Sequence, residues 1–176
     1  MPTSLFKGYK PAIHIILIIL LGFTVYANSL NGQFIWDDSA FIKNNTYIKD
    51  WSKVIPVFTQ DSGRGASTIL NFYRPLQVFT YMVDYSLWGV NVFGYHLTNV
   101  ILHILVALAV YWLISSIFGH SGLAFFTAIL FVACPVHTEA VSYISGRGDS
   151  LAALFILLCL IFYIKNMHSP SVRSYI

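Results

Sequence analysis

The sequence predicts an all-α integral membrane protein with about four transmembrane helices and a large first extracytoplasmic loop. Two observations carry that prediction. The first is composition: hydrophobic residues make up 57% of the 176 and charged residues 10%, against roughly a quarter charged in a soluble chain. The second is the placing of the charges. Asp, Glu, Lys and Arg are absent from residues 11–36, 85–138 and 150–164, and a helix needs about 20 apolar residues to cross a hydrocarbon core of about 30 Å. With a mean hydropathy of +0.69, this composition excludes a cytosolic enzyme, a disordered tail and a collagen-like or disulfide-stapled chain. A formal net charge of +3, scattered along the chain, is no nucleic-acid footprint.

The elements follow in order. Residues 1–12 are a cytoplasmic N-terminus with Lys7 and Lys10, and 13–28 form the first transmembrane helix. Val25-Tyr26-Ala27 also satisfies the minimal pattern of a cleaved signal peptide, but the apolar core runs long and Tyr26 is bulky. Residues 29–92 form an extracytoplasmic loop with two amphipathic helices. Asp50-Trp51-Ser52-Lys53 reads as the cap and first turn of one, with Trp51, Val54, Ile55 and Phe58 on one face. Pro75 opens the other, where Leu76, Phe79, Met82, Val83 and Leu87 repeat at helical spacing and Gly89 ends it. Both suit the membrane interface or an ordinary packed subdomain. Residues 61–67 between them read as a flexible loop.

The long middle run breaks at Gly119-His120-Ser121-Gly122, giving transmembrane helices at 93–118 and 123–136. A short extracytoplasmic loop, 137–149, leads to a fourth transmembrane helix at 150–167 and a cytoplasmic tail at 168–176. Lys7, Lys10, Lys165 and Arg173 place both termini in the cytoplasm by the positive-inside rule. That puts the loop from Asp37 to Asp84, which holds five acidic and five basic residues, on the other side.

Polar side chains inside or beside spans are the candidate functional groups, because lipid penalises them unless protein or water receives them. His96, Asn99 and His103 form a stripe on one helical face; inter-helix hydrogen bonding explains it as well as a cavity does. Pro135-Val136-His137-Thr138-Glu139 and Ser145-Gly146-Arg147-Gly148-Asp149 follow the third span, and Asp149 or Ser150 is a candidate helix cap. Cys134 and Cys159 give neither a metal cluster nor a disulfide framework, and His137-x-Glu139 lacks the cysteines of a zinc deaminase. Asn44-Asn45-Thr46 matches an N-glycosylation acceptor. The adjacent pair Asp37-Asp38 follows Phe34-Ile35-Trp36; a reactive site and a hydrated loop start both fit it.

The ordered set of motifs carries a resemblance. Tyr26-Ala27-Asn28-Ser29-Leu30, Phe34-Ile35-Trp36-Asp37-Asp38, Tyr73-Arg74-Pro75-Leu76, Leu87-Trp88-Gly89 and Gly94-Tyr95-His96-Leu97-Thr98-Asn99 come first, and the two segments from Pro135 to Asp149 come last. Together they resemble the transmembrane and tetratricopeptide-repeat-containing O-mannosyltransferases of the GT-C glycosyltransferase superfamily, over Tyr26 to Asp149. The resemblance implies a partial GT-C-like module and transfer of a mannose-like sugar from a polyprenyl-phosphate donor to protein Ser/Thr hydroxyls. It implies Asp37 as catalytic base with Asp38 holding the acceptor or orienting the base, and Arg74 and Arg147 binding the donor phosphate. His96, Asn99, His137, Glu139 and Asp149 would line the cavity. The implied partners are membrane lipid, the lipid-linked sugar and an acceptor protein, with no nucleic acid. No cofactor or metal site is implied beyond the lipid-linked donor, a divalent metal staying open.

This sequence departs from the family in two ways. The chain stops about ten residues beyond the fourth span without a 34-residue period, so it reads as an N-terminal piece of a larger protein, or a remnant, inactive alone. Gly148 stands where relatives often have Ala. The rival readings are a non-catalytic membrane anchor or scaffold, and a small transporter with His96, His103 and His137 as a proton relay.

Overall fold

The computed structural model describes residues 11–67 and 71–168, and all regular structure among them is helical. Lys7, Lys10 and Arg173, three of the four cations behind the expected orientation, lie outside the described residues. The helices are α1 (Pro11–Tyr26), α2 (Val54–Thr59), α3 (Pro75–Trp88), α4 (Val92–Phe118), α5 (Ser121–Ala133), α6 (Thr138–Ser142) and α7 (Arg147–His168), joined by short tighter or wider turns.

Among the described residues three stretches are long and apolar enough to cross a membrane: Pro11–Asn31, Val92–Phe118 and Ile144–Met167. The protein is an all-α integral membrane protein. The third expected span takes another form. α5 stops at Ala133, and the chain bends by 50° into Pro135–Ser142. The cause is Pro135: a residue before proline is pushed out of the helical region, and Cys134 sits at φ −69°, ψ 122°. In place of a loop over 137–149 the chain forms α6, a turn at Ile144–Gly146, and the first turn of α7, which begins at Arg147.

The chain divides into two compact units. One comprises, among the described residues, 11–25, 102–135 and 152–168, built on Ile18, Ala107, Tyr111, Ala124, Ala128 and Val132. Small residues let membrane helices approach closely, the packing that holds helices together in lipid. Gly22 does the same: a Cβ there would lie 2.5 Å from Ile104 Cγ1. Polar groups are satisfied locally, as a hydrocarbon surround demands. Thr24 donates to the Leu20 carbonyl and Thr127 to the Leu123 carbonyl. His14 meets Tyr111 Oη at 3.3 Å and stacks on Phe125.

The other unit comprises Tyr26–Ile101 and Val136–Leu151. Its core joins Phe41, Ile42, Ile48 and Val57 to Val78, Tyr81, Met82, Tyr95 and Ile144. Asp50 accepts from the Ser52 amide at 2.9 Å and from its hydroxyl at 2.7 Å, pre-forming the turn into α2. Those bonds hold the Asp50 carboxyl below its ordinary range. The segment 61–67 is pinned rather than loose. Asp61 Oδ1 accepts from the Gly63 amide, Ser62 Oγ from the Arg74 amide, and the Gly65 carbonyl from the Thr46 amide.

The buried face of α3 also differs from its hydrophobic repeat. Val78, Tyr81 and Met82 are buried together with the polar Gln77 and Asp84, while Leu76, Val83 and Leu87 are exposed. Likewise Val57 is the buried residue of α2, and Trp51, Ile55 and Phe58 are exposed.

Candidate functional site

In the second unit Asp38 meets Ser145, and Arg147 bonds to Thr80 and Asp84 of α3. The backbone before the acidic pair is strained: Trp36 has φ +45°, a left-handed conformation rare for a bulky residue. Its exposed ring packs edge-on against Tyr143 at 5.5 Å. That twist sends the two carboxylates into different environments. Asp37 is exposed. Asp38 is 0% exposed and accepts from the Ile35 amide at 3.0 Å, the Ser145 amide at 3.0 Å and the Ser145 hydroxyl at 2.6 Å. Three donors to one carboxylate offset its loss of hydration. Asp38 therefore clamps the loop after α1 to the turn before α7, and Asp37 stands on the clamped turn facing outward.

Arg147, which the resemblance implied as a donor-phosphate ligand, is also 0% exposed and turned into the unit. Its Nε donates to Asn99 Oδ1 at 2.7 Å, Nη1 to Thr80 Oγ1 at 2.9 Å and Nη2 to the Tyr95 carbonyl at 3.0 Å. Nη1 also pairs with Asp84 Oδ2 at 2.6 Å, and the guanidinium lies 4.6 Å from the Tyr81 ring centre. Burial pushes the Asp84 carboxyl up, against the pull of Arg147 and the Thr98 hydroxyl.

Asn99 and Gln77 complete the arrangement from opposite sides. Asn99 Nδ2 donates to the Val141 and Tyr143 carbonyls. Gln77 Nε2 donates to the Ser145 carbonyl and to Tyr81 Oη, both at 2.8 Å, and Tyr81 Oη donates to the Ile144 carbonyl at 3.0 Å. Burial pushes the Tyr81 hydroxyl up to about 12, Arg147 opposing it. His96 is 2% exposed, and among the described residues neither ring nitrogen has a hydrogen-bond partner. A Cβ on Gly32 would come within 2.5 Å of its Nε2, so only glycine lets the chain pass there.

The remaining predicted residues sit apart from this network. Arg74 is exposed with its guanidinium over the Phe72 ring at 4.9 Å, and its Cδ is 3.9 Å from where a Gly148 Cβ would stand. His137 is half-buried, and Glu139 and Asp149 are exposed. His103, in the other unit, meets the Val132 carbonyl at 3.3 Å and stacks on Phe131. Among the described residues no three His, Cys, Asp or Glu side chains converge to hold a metal. Sequence reasoning quoted Ser145 within its motif without giving it a role, and did not single out Gln77, Thr80, Tyr81 or Asp84 as site residues. Polar residues within the apolar repeat of α3 were the available signal.

This chain is similar to named protein O-mannosyl-transferases. It is 36% identical to protein O-mannosyl-transferase F38B6.6 of Caenorhabditis elegans, over 91% of this chain and 24% of that protein. It is 38% identical to human TMTC1 over 94% of this chain and 19% of the relative. It is 34% identical to mouse TMTC2 over 88% and 18%. The chain thus spans between 18% and 24% of the length of these relatives. No family model and no solved structure matches it.

Proposed function

This chain is a homologue of the protein O-mannosyl-transferases over most of its own length, and from that premise we propose that it forms part of a membrane glycosyltransferase. The reaction is transfer of a mannose-like sugar from a polyprenyl-phosphate donor to a Ser or Thr hydroxyl of an acceptor protein. The observation that carries the reading is the division of labour between Asp37 and Asp38: one exposed, its neighbour buried and clamped.

A Ser or Thr hydroxyl is a weak nucleophile and needs a base within hydrogen-bond reach. Asp37 accepts that proton as the hydroxyl oxygen bonds to the anomeric carbon. The bond from that carbon to the phosphate oxygen breaks, and the electron pair leaves with the lipid phosphate. A phosphate departs without protonation, so one carboxylate suffices where a glycosidase normally uses two. Asp38 holds the turn and so orients the base. Charge gathering on the phosphate calls for a cation. Of the two arginines proposed for it, Arg74 is exposed and Arg147 is committed to Asp84, Asn99, Thr80 and Tyr95.

The protein would lie in a bacterial inner membrane or an endoplasmic reticulum membrane. Residues 29–92 would be extracytoplasmic and both termini cytoplasmic, which brings the base to the leaflet that presents the lipid-linked sugar. The test is transfer of labelled mannose from polyprenyl phosphate to a Ser/Thr peptide in membranes carrying the protein or its Asp37→Asn variant. Loss of transfer with the protein still inserted supports the reading; transfer at an undiminished rate rejects it and leaves a membrane scaffold.

A further inference from the structure

A groove of about 480 Å3 is lined by Gln33, Phe34, Lys43, Val90 and Val92, all within one compact unit. Its walls come from the ends of two apolar stretches. Gln33 and Phe34 lie just beyond the candidate span Pro11–Asn31, and Val92 opens the span Val92–Phe118. Residues at span ends sit where hydrocarbon gives way to the phospholipid headgroups. The chain beside the groove suits that level: Leu87, Trp88 and Phe93 are exposed, with the Trp88 and Phe93 rings 5.9 Å apart.

The groove also carries positive charge. Lys43 Nζ lies 5.1 Å from the Phe34 ring centre. Lys49 donates its Nζ to the Lys43 carbonyl at 2.7 Å and lies 5.9 Å from the Tyr85 ring centre. Neither lysine has a carboxylate at ion-pair distance among the described residues. Ammonium groups without a carboxylate partner favour a nearby anion, and the apolar wall of Phe34, Val90 and Val92 adds contact for a lipid's glycerol and upper chains.

We infer that this groove binds the headgroup of an anionic phospholipid, with Lys43 and Lys49 on the phosphate and carboxylate, and the glycerol region against Phe34, Val90 and Val92. Charge selects the occupant: the serine carboxylate leaves phosphatidylserine with a net negative charge, whereas phosphatidylcholine is net neutral and offers the lysines no second anionic group. The site uses none of Asp37, Asp38 or Arg74, so it stands apart from the transferase reading.

The test places the protein in phosphatidylcholine bilayers and compares how strongly it immobilises spin-labelled phosphatidylserine and spin-labelled phosphatidylcholine. Selectivity for phosphatidylserine should fall about fivefold for Lys43→Gln and again for Lys49→Gln, while Lys43→Arg keeps it. Val92→Trp, which fills the groove and leaves both lysines, should also reduce it. Equal immobilisation of the two lipids by the unaltered protein, or full selectivity in the double glutamine variant, would overturn the inference. So would preferential displacement of the label by polyprenyl phosphate, which would make the groove a donor site.

Discussion

A guanidinium withdrawn from water must be neutralised and hydrogen-bonded by protein, and Arg147 has both through Asp84, Asn99, Thr80 and Tyr95. Removing one member of such a pair leaves the other charge buried, at a cost of about 3–5 kcal/mol. Arg147→Met should therefore lower the unfolding temperature sharply, and adding Asp84→Asn should restore part of the loss. A double variant no more stable than the single one would contradict the pairing. Tyr81 offers a second check at this scale. Its hydroxyl is raised from 10.0 to about 12 by burial, so the folded protein keeps a proton that the unfolded chain releases. Its contribution to stability is then complete below pH 10 and is lost as pH rises toward about 12. Unfolding measured across that window should show a steeper loss for the unaltered protein than for Tyr81→Phe; equal slopes would contradict it.

Among the elements, the clamp between Asp38 and Ser145 joins two segments that are 107 residues apart. Hydrogen bonds to a charged group contribute about 1.5–3 kcal/mol each. Asp38→Asn turns one acceptor oxygen into a donor facing donors, and should both destabilise the protein by about 3 kcal/mol and depress transfer. Ser145→Ala, which removes the hydroxyl and keeps the amide, should do so more mildly. The reverse order of severity would mean that Asp38 does not act through this turn.

The apolar stretches of α1, α4 and α7 were legible in the sequence because lipid tolerates few charges over about 20 residues, whatever lies around them. The buried face of α3 was not. Gln77 and Asp84 look like solvent-facing residues until their partners at Ser145 and Arg147 are known, and periodicity carries no information about partners more than 60 residues away. The outward turn of Asp37 and the inward turn of Asp38 depend on the positive φ at Trp36, which no local propensity favours. Pro135 did announce a break, but its 50° bend ends α5 within the expected third span.

For the molecule as a whole, the membrane class follows from composition, and the orientation proposed for it can be read chemically. Asn44 and Thr46 of the Asn44-Asn45-Thr46 acceptor pattern are exposed, Asn45 between them is buried, and a sugar chain on Asn44 would extend away from the core. Expression in an animal cell should give an endoglycosidase-sensitive mobility shift that Asn44→Gln abolishes, if residues 29–92 face the lumen. A protein made without the shift would contradict that orientation.

The proposed reaction turns on the exposed carboxylate beside the clamp. The most direct measurement is mannosyl transfer to a Ser/Thr peptide by the protein in its native membrane, with Asp37→Asn set against the unaltered protein at matched amounts and matched unfolding temperatures. General-base catalysis contributes typically 10²–10⁴-fold, so the variant should lose at least about a hundredfold in rate with no change in stability. A rate within about twofold of the unaltered protein would show that Asp37 takes no proton in the reaction.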